Sequence, residues 1–388
     1  MSSLSRRELL LGGAALALGG ATLGAGGVLA SARLSPDREE ARAQAIPFHG
    51  EHQAGVTTPA QAHALLLALD LLPGTDRDAL RRLMRLLSDD AARLTQGRPA
   101  LADTEPELAA APARLTVTFG FGPGLVARAG GAAPSWLAPL PPFGVDRLEP
   151  AWCGGDLLLQ VCADDRLTAA HAARVLLKDA RAFARPRWRQ DGFLGSRTPA
   201  ETPRNLFGQV DGTVNPAPEE HAELVWSDAG WLAGGTGMVV RRIRMDLDGW
   251  DRLDRPGREL AVGRYLSNGA PLTSDPEDPA AELDEPDLGA TGELGFPVIP
   301  AYSHVARARG TDRRERFLRR SFNYDDGTEA GLVFVAFAAD VERQFLPVQR
   351  RLAELDMLNE WTTPVGSAVF AVPPGCAEGG FVGETLLA

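Results

Sequence analysis

The stretch GLVFVAFAAD, residues 331–340, decides the fold, because DLLLQVCADD at residues 156–165 repeats it: Leu157 matches Leu332, Ala163 matches Ala338 and Asp165 matches Asp340. Both are short apolar runs closed by an aspartate, the reading of a buried strand. Both then enter amphipathic helices, RLTAAHAARVLLKDARAF at 166–183 and ERQFLPVQRRLAEL at 342–355. A duplicated unit predicts that shared order as well as the shared residues.

Working outward, DRDALRRLMRLLSDDAARLTQG (76–97) places Leu80, Leu83, Leu86 and Leu87 at helical spacing and stops at Gly97. In RLTVTFGFGPGLV (114–126), Leu115, Val117, Phe119 and Phe121 alternate with Thr116, Thr118 and Gly120, which predicts a strand with one buried face. HGEHQAGVTTPAQAHALLLALDLLP (49–73) is read as a helix that starts at Thr58 and Pro59. GMVVRRIRMDLDGW (237–250) supplies a second-half strand comparable to RLTVTFGFG. The sum is an α+β protein of two similar halves, with antiparallel sheets covered by helices on one side. Gly, Pro, Ser and Thr crowd together in RQDGFLGSRTPAETPRN (189–205), a natural boundary.

The chain begins with a different kind of segment. Arg6 and Arg7 precede a Gly- and Ala-rich apolar run from Leu9 to Ala30, followed by Ala30-Ser31-Ala32. That is the pattern of a signal peptide, and Ser-Arg-Arg-x-Leu-Leu points to the twin-arginine route, which exports folded proteins. The organisation expected is therefore a signal peptide at 1–32, a polar tether at 33–46, and two domains at 47–195 and 196–388. The formal net charge is −11, and loss of the signal segment leaves the chain one charge more acidic, which argues against nucleic acid as a partner. The three cysteines, Cys153, Cys162 and Cys376, are too few and too scattered for a disulfide framework or a zinc ligand set.

Three stretches hold the chemically suggestive residues. NLFGQVDGTVNP (205–216) contains Gly208, Asp211 and Gly212, and Asp-Gly alone is commonly just a turn. FPVIPAYSHVARARG (296–310) sets His304 between an apolar approach and Arg307 and Arg309. Such a contrast suits an imidazole that ligates haem iron beside arginines that pair with haem propionates. In RRERFLRRSFNYDDG (313–327), Arg313, Arg314 and Arg316 read as a solvated face. Arg319 and Arg320 are adjacent at the entry to a strand, so one faces in while the other faces out.

Together these stretches resemble the dye-decolourising peroxidase family, and within it the exported deferrochelatase/peroxidase branch. The likeness runs through GEHQAGVTTPAQ, LTVTFGFGPGL, GQVDGTVNP, RRIRMDLDGWDR, RRSFNYDDG, RQFLPVQRRLAELDMLNEW and GSAVFAVPPG, nearly the whole mature chain. It implies two ferredoxin-like halves and one haem b held mainly by the second. Carried over by position, the axial haem ligand falls on His304, the distal acid on Asp211 and the distal arginine on Arg319. Gly212, Thr213 and Val214 would run along the distal haem face, with Ser321 close by. The family usually places an arginine two residues after the histidine, where this chain has Ala306, so the propionate contact stays open between Arg307 and Arg309. His52 is a candidate rim residue, and His49, His63, His171 and His221 read as surface or helix residues.

The implied reaction is peroxide reduction with oxidation of dyes or phenols, Asp211 moving a proton and Arg319 offsetting the charge on the departing oxygen. An aspartate works as a base only when ionised, and its ordinary pKa near ~3.9 predicts an acid pH optimum. Trp231, Trp361 and Tyr324 are candidates to relay electrons from reductants too bulky to reach the haem. Two other readings compete: a haem-binding component of an iron uptake system with iron-transport partners, and a cofactor-free scaffold. A binding module has no need of Asp211 and Arg319, which favours the enzyme. A homo-oligomer is compatible with this fold.

Overall fold

The computed structural model describes residues 43–195, 202–310 and 312–388. The signal segment, most of the tether and the residues at the expected boundary, 196–201, lie outside the described residues. Glu39–Ala388 forms one compact unit.

The first half is built from β1 (His63–Leu71), α1 (Arg77–Leu94), β2 (Thr116–Phe121), β3 (Leu157–Ala163), α2 (Arg166–Ala180) and β4 (Ala184–Phe193). The second is built from β5 (Thr236–Met245), α3 (Arg255–Val262), α4 (His304–Ala308), β6 (Leu318–Arg319), β7 (Phe322–Asp325), β8 (Ala330–Ala338), α5 (Val341–Leu355) and β9 (Thr362–Val372). Strands of the first half lie in the order β2-β3-β1-β4, and those of the second in the order β9-β5-β8-β7, with every pair antiparallel. Numbered within its own half, each set reads second-third-first-fourth or its mirror, the ferredoxin-like arrangement. β6 extends the β7 edge of β8, with Arg319 opposite Ala336 and Phe322 opposite Val333 in one register.

The halves join twice at their edges, at Phe121↔Ala371 between β2 and β9 and at Phe193↔Asn323 between β4 and β7. Since β5 also pairs with β8, the strands close into a ring. Its interior is filled by Leu66, Leu158, Met238, Phe322, Val335 and Phe370. The outer faces carry Leu67, Val117 and Leu159 under helix residues Leu83, Leu87 and Leu176.

That closure explains two differences from the sequence reading. The segment expected to be a helix from Thr58 is a strand, β1, held between β3 and β4. Its run of leucines is buried on both faces, and a short all-apolar run has the same look in a buried strand and a buried helix. Likewise β2 has no solvent face: Thr116 and Thr118 point inward and are as buried as Val117 and Phe119. Their hydroxyls are satisfied there, Thr118 donating to the Ala54 carbonyl at 2.7 Å and Thr116 accepting from Gln61 at 3.1 Å.

The repeat detected in the sequence is β3-α2 against β8-α5. Asp165 and Asp340 each cap the following helix, accepting from Thr168 N and from Glu342 N and Arg343 N. A third difference concerns β5, which opens its half and so corresponds to β1 rather than to RLTVTFGFG, the second strand of the other half. Among the described residues no helix is long and apolar enough to cross a membrane.

Candidate active site

The connection from β5 to β6 runs from Asp246 to Phe317 and holds α3 and α4, so the outer face of the second sheet is only partly covered by a helix. The space left is a cavity of about 920 Å³. Its walls are apolar at Ile243, Val262, Leu332, Phe334, Phe345 and Val348. His304 is the one histidine among the described lining residues.

His304 is the first residue of α4. Ser303 caps that helix by accepting from Ala306 N at 3.3 Å, which fixes the backbone that presents the imidazole. Nδ1 of His304 lies 2.6 Å from Oδ2 of Asp356. The other carboxylate oxygen, Oδ1, accepts from Leu358 N at 3.0 Å, so the carboxylate is itself held in place. An ionised Asp356 takes the Nδ1 proton as its hydrogen-bond partner and leaves the Nε2 lone pair free to ligate a metal. Burial alone would push the imidazole pKa down, and the Asp356 charge and hydrogen bond outweigh it, leaving the value raised.

Asp211 and Arg319 enter the same wall from separate elements. The Asp211 amide donates to the Pro203 carbonyl at 2.9 Å. Gly212 follows at φ +120°, a conformation that L side chains rarely adopt, so the chain can turn directly after the acid. Arg319 Nη1 is 3.4 Å from Asp211 Oδ1, and each side chain is about a quarter exposed. The backbone of Arg319 is gripped by Asn215, whose Oδ1 accepts from Arg319 N at 2.9 Å while Nδ2 donates to Arg319 O at 3.0 Å. Thr213 and Val214 line the cavity as well, whereas Ser321 opens onto a smaller neighbouring one.

The arginines divide clearly. Arg309 lines the cavity and pairs with Glu285 at 2.5 Å. Arg307 turns away to the Arg351 carbonyl at 3.1 Å and Glu354 at 3.0 Å. Arg264, not singled out in the sequence, is buried in the same wall and donates to the carbonyls of Gly269 and Glu282 at 2.6 and 2.9 Å. Burial first, then the positive charges of Arg319 and Arg309, hold its pKa below the ordinary arginine range. Arg313 is exposed at the mouth of the cavity, as its reading as a solvated face expects, whereas Arg316 departs from that reading: it lines the cavity half-buried, paired with Glu220 at 2.6 Å. Arg314 keeps to the surface as well, 3.7 Å from Glu223.

The remaining histidines lie elsewhere. His52 stacks on Trp226 at 3.7 Å and bonds the Gly234 carbonyl at 2.7 Å, away from the cavity rim. His171 is buried in α2 against Asp103 at 2.8 Å, not on the surface, and His63 opens β1. Of the aromatic relay candidates, Tyr324 is buried inside the ring with its ring 4.4 Å from the Arg242 guanidinium, while Trp231 and Trp361 are half-buried.

The residues fit a haem. The cavity offers one imidazole with a free Nε2, apolar walls, and the cations Arg264, Arg309 and Arg319, the set that a haem with its anionic propionates would need. Asp356, Asn215 and Arg264 were missed in the sequence. Asp356 and Asn215 lie within family-like motifs, but their partners are 52 and 104 residues away along the chain.

Comparison with known proteins agrees with this fold and site. The family models for Dyp-type peroxidase, N-terminal, and Dyp-type peroxidase, C-terminal, match residues 53–194 and 202–377. The chain belongs to the Dyp-type peroxidase family. It is 38% identical to a dye-decolorizing peroxidase of Thermobifida fusca over 92% of this chain and 87% of the relative. It is 34% identical to a deferrochelatase of Escherichia coli K12 over 99% of this chain and 97% of the relative. A crystal structure of a DyP-type peroxidase from Cellulomonas bogoriensis superposes with a TM-score of 0.85 at 54% identity, covering 89% of this chain and 99% of that one.

Proposed function

We propose that this haem peroxidase reduces hydrogen peroxide at the expense of organic reductants such as dyes or phenols, with His304 as axial ligand, Asp211 as proton carrier and Arg319 as charge stabiliser. The observation that carries the assignment is that Asp211 and Arg319 meet within 3.4 Å in the wall of the cavity that also holds His304. When bound, haem b supplies an iron centre that exchanges electrons with peroxide and then with the reductant.

The chain's own residues do the rest. Asp356 holds Nδ1, which would leave Nε2 of His304 to ligate the haem iron. An Asp211 carboxylate oxygen takes the proton from one peroxide oxygen and returns it to the other, which leaves as water. The Arg319 guanidinium faces the charge that grows on the departing oxygen, a contribution worth about 100- to 1,000-fold in rate for a single such donor. Arg264 and Arg309, which line the cavity, would be the cations open to the haem propionates, whereas Arg307 bonds the Arg351 carbonyl and Glu354 instead. In balance, peroxide takes two protons and two electrons, and two reductant molecules each give one electron. Asp211→Asn and Arg319→Leu test this: both are expected to keep the haem spectrum and lose peroxide turnover, and a variant that keeps full turnover would remove its residue from the mechanism.

The relation to the deferrochelatase keeps a haem-handling role in view, with iron-transport partners. Asp211 and Arg319 favour the peroxidase, because a carrier needs neither group. The twin-arginine start at Arg6 and Arg7 supports export of the folded protein to the periplasm or another extracytoplasmic space, with 47–195 and 196–388 as its two domains. Arg6→Lys with Arg7→Lys is expected to leave the protein in the cytoplasm by fractionation. Self-association into a homo-oligomer belongs to the same reading and is checked by sedimentation.

A further inference from the structure

Behind the Asp211–Arg319 pair lies a second cavity of about 300 Å³. The two cavities share Asn205, Asp211, Gly212, Arg319 and Leu332, so the reactive pair stands in the partition between them. The small cavity has a polar inner wall at Ser321 and Asn323, and its outer wall is the segment Val56–Ala60, contributed by the first half of the chain. Asn323 is 3% exposed; its Nδ2 donates to the Arg204 carbonyl at 2.9 Å, and its Oδ1 is buried without a partner. Hydrogen peroxide, with two O–H groups, could donate to that oxygen and to Asp211 and accept from Arg319, whereas an alkyl hydroperoxide has only one proton to donate.

What holds the outer wall is the arginine next to the reactive one. Arg320 continues the β6–β7 register, its amide donating to the Val335 carbonyl at 2.9 Å, so its side chain leaves the strand on the face opposite Arg319 and enters the ring interior. There it is 6% exposed and donates to the Thr58 carbonyl and to Oε1 of Gln61. Gln61 is fully buried and passes the connection on, its Nε2 donating to the Arg114 carbonyl at 2.7 Å and to Thr116 Oγ1 at 3.1 Å. The Cys162 thiol sits against the same guanidinium. Burying a cation this deeply is costly, the more so as its Nε is buried without a partner, and apolar replacements of such groups are often neutral or better for stability. Stability is therefore a poor reason for Arg320, and position a better one.

We propose that Arg320 is a positioning residue that fixes the Val56–Ala60 wall and so limits the oxidant reaching Asp211 and Arg319 to small hydroperoxides. The inference rests on the assignment of Asp211 and Arg319 above. The step it governs is the reduction of a hydroperoxide ROOH to ROH and water, with two protons and the two electrons of the organic reductant.

The test is stopped-flow reaction of the haem-loaded protein with hydrogen peroxide and with cumene hydroperoxide, together with amide exchange at Val56–Gln61 in the haem-free protein. The wild type is expected to prefer hydrogen peroxide by about 100-fold, the scale on which a shaped pocket rejects a bulkier group. Arg320→Met is expected to reduce that preference by about tenfold and to speed exchange of the wall amides by about tenfold, a local opening. Arg320→Lys should recover part of both. Should Arg320→Met fail to fold, Ala60→Phe fills the same cavity from the exposed side and should slow hydrogen peroxide itself by about tenfold, the cost of a blocked pocket. An unchanged peroxide preference in Arg320→Met, unchanged exchange, or an Ala60→Phe protein as fast as wild type would each overturn the proposal. Failure of the Asp211 and Arg319 assignment would show separately, as Asp211→Asn at full speed, while exchange of the wall would still report on Arg320.

Discussion

The two halves share one strand order and differ in what lies on their outer faces. In the first, α2 brings Ala169, Ala172 and Ala173 against the sheet, all at most 1% exposed, and the helix sits close. At the matching places in α5 the repeat offset found in the sequence puts Gln344, Pro347 and Val348, with Phe345 beside them packed on Phe317 and Phe334. In the first half α1 fills the space beside α2. In the second, a long connection carrying α3 and α4 goes around that space. One topology thus gives a sealed core when small residues seat the helix, and a ligand cavity when bulky ones hold it off.

The largest test of that contrast is chemical. Arg319→Leu should lower the peroxide reaction rate by about 100- to 1,000-fold in stopped flow, with the fold intact. Next, Asp356→Asn should weaken haem retention by about 10- to 100-fold, the usual cost of losing a partner to a metal-bound histidine, measured as haem transfer to an apoglobin. Wild-type retention in that variant would mean that His304 is oriented by α4 alone.

Packing gives a smaller effect, and one that differs between the two halves. Ala172→Leu has no room and should cost about 1–3 kcal/mol in denaturant unfolding. Val348→Leu should leave the haem-free protein's stability nearly unchanged and reduce haem affinity, because the added methylene enters the cavity. Equal destabilisation by the two would break the comparison.

The smallest effect is a slope with pH, confined to the first half. Asp90 of α1 is 1% exposed with an unpartnered Oδ1; burial, then a hydrogen bond and repulsion from Asp179 of α2, push its pKa up to about 7. The Leu101 amide opposes this, and the neighbouring Asp89 adds to it. A carboxyl group raised in this way binds more protons folded than unfolded, so its contribution is full below the ordinary aspartate value and is lost as pH rises towards 7. Asp90→Asn should flatten the fall in Tm between about pH 4 and 7. An unaltered slope would place its origin elsewhere.

How much of this was readable in advance depended on sequence distance. The β3-α2 and β8-α5 units were legible because each carries its own strand, cap and helix within some twenty-five residues. β1 was not, since a strand buried on both faces has no alternation to detect. Asp211, Gly212, Thr213, Val214, His304, Arg309 and Arg319 were picked out from three short stretches, and all of them line one cavity. Asp356 and Arg264 escaped because their importance comes from what folding brings beside them, an imidazole in one case and two other arginines in the other.

β9 is the final strand of the chain, yet it lies between β5 and β2, paired along ten residues with the former and joined to the latter at Ala371. During synthesis, the ring therefore stays open until Thr362–Val372 has emerged from the ribosome, however early the first half folds. Until then β2 and β5 are bare edges able to pair with other chains. The completion of the barrel thus waits on the codons for Thr362–Val372, and a chain truncated before them yields two halves with a gap where one seam should be.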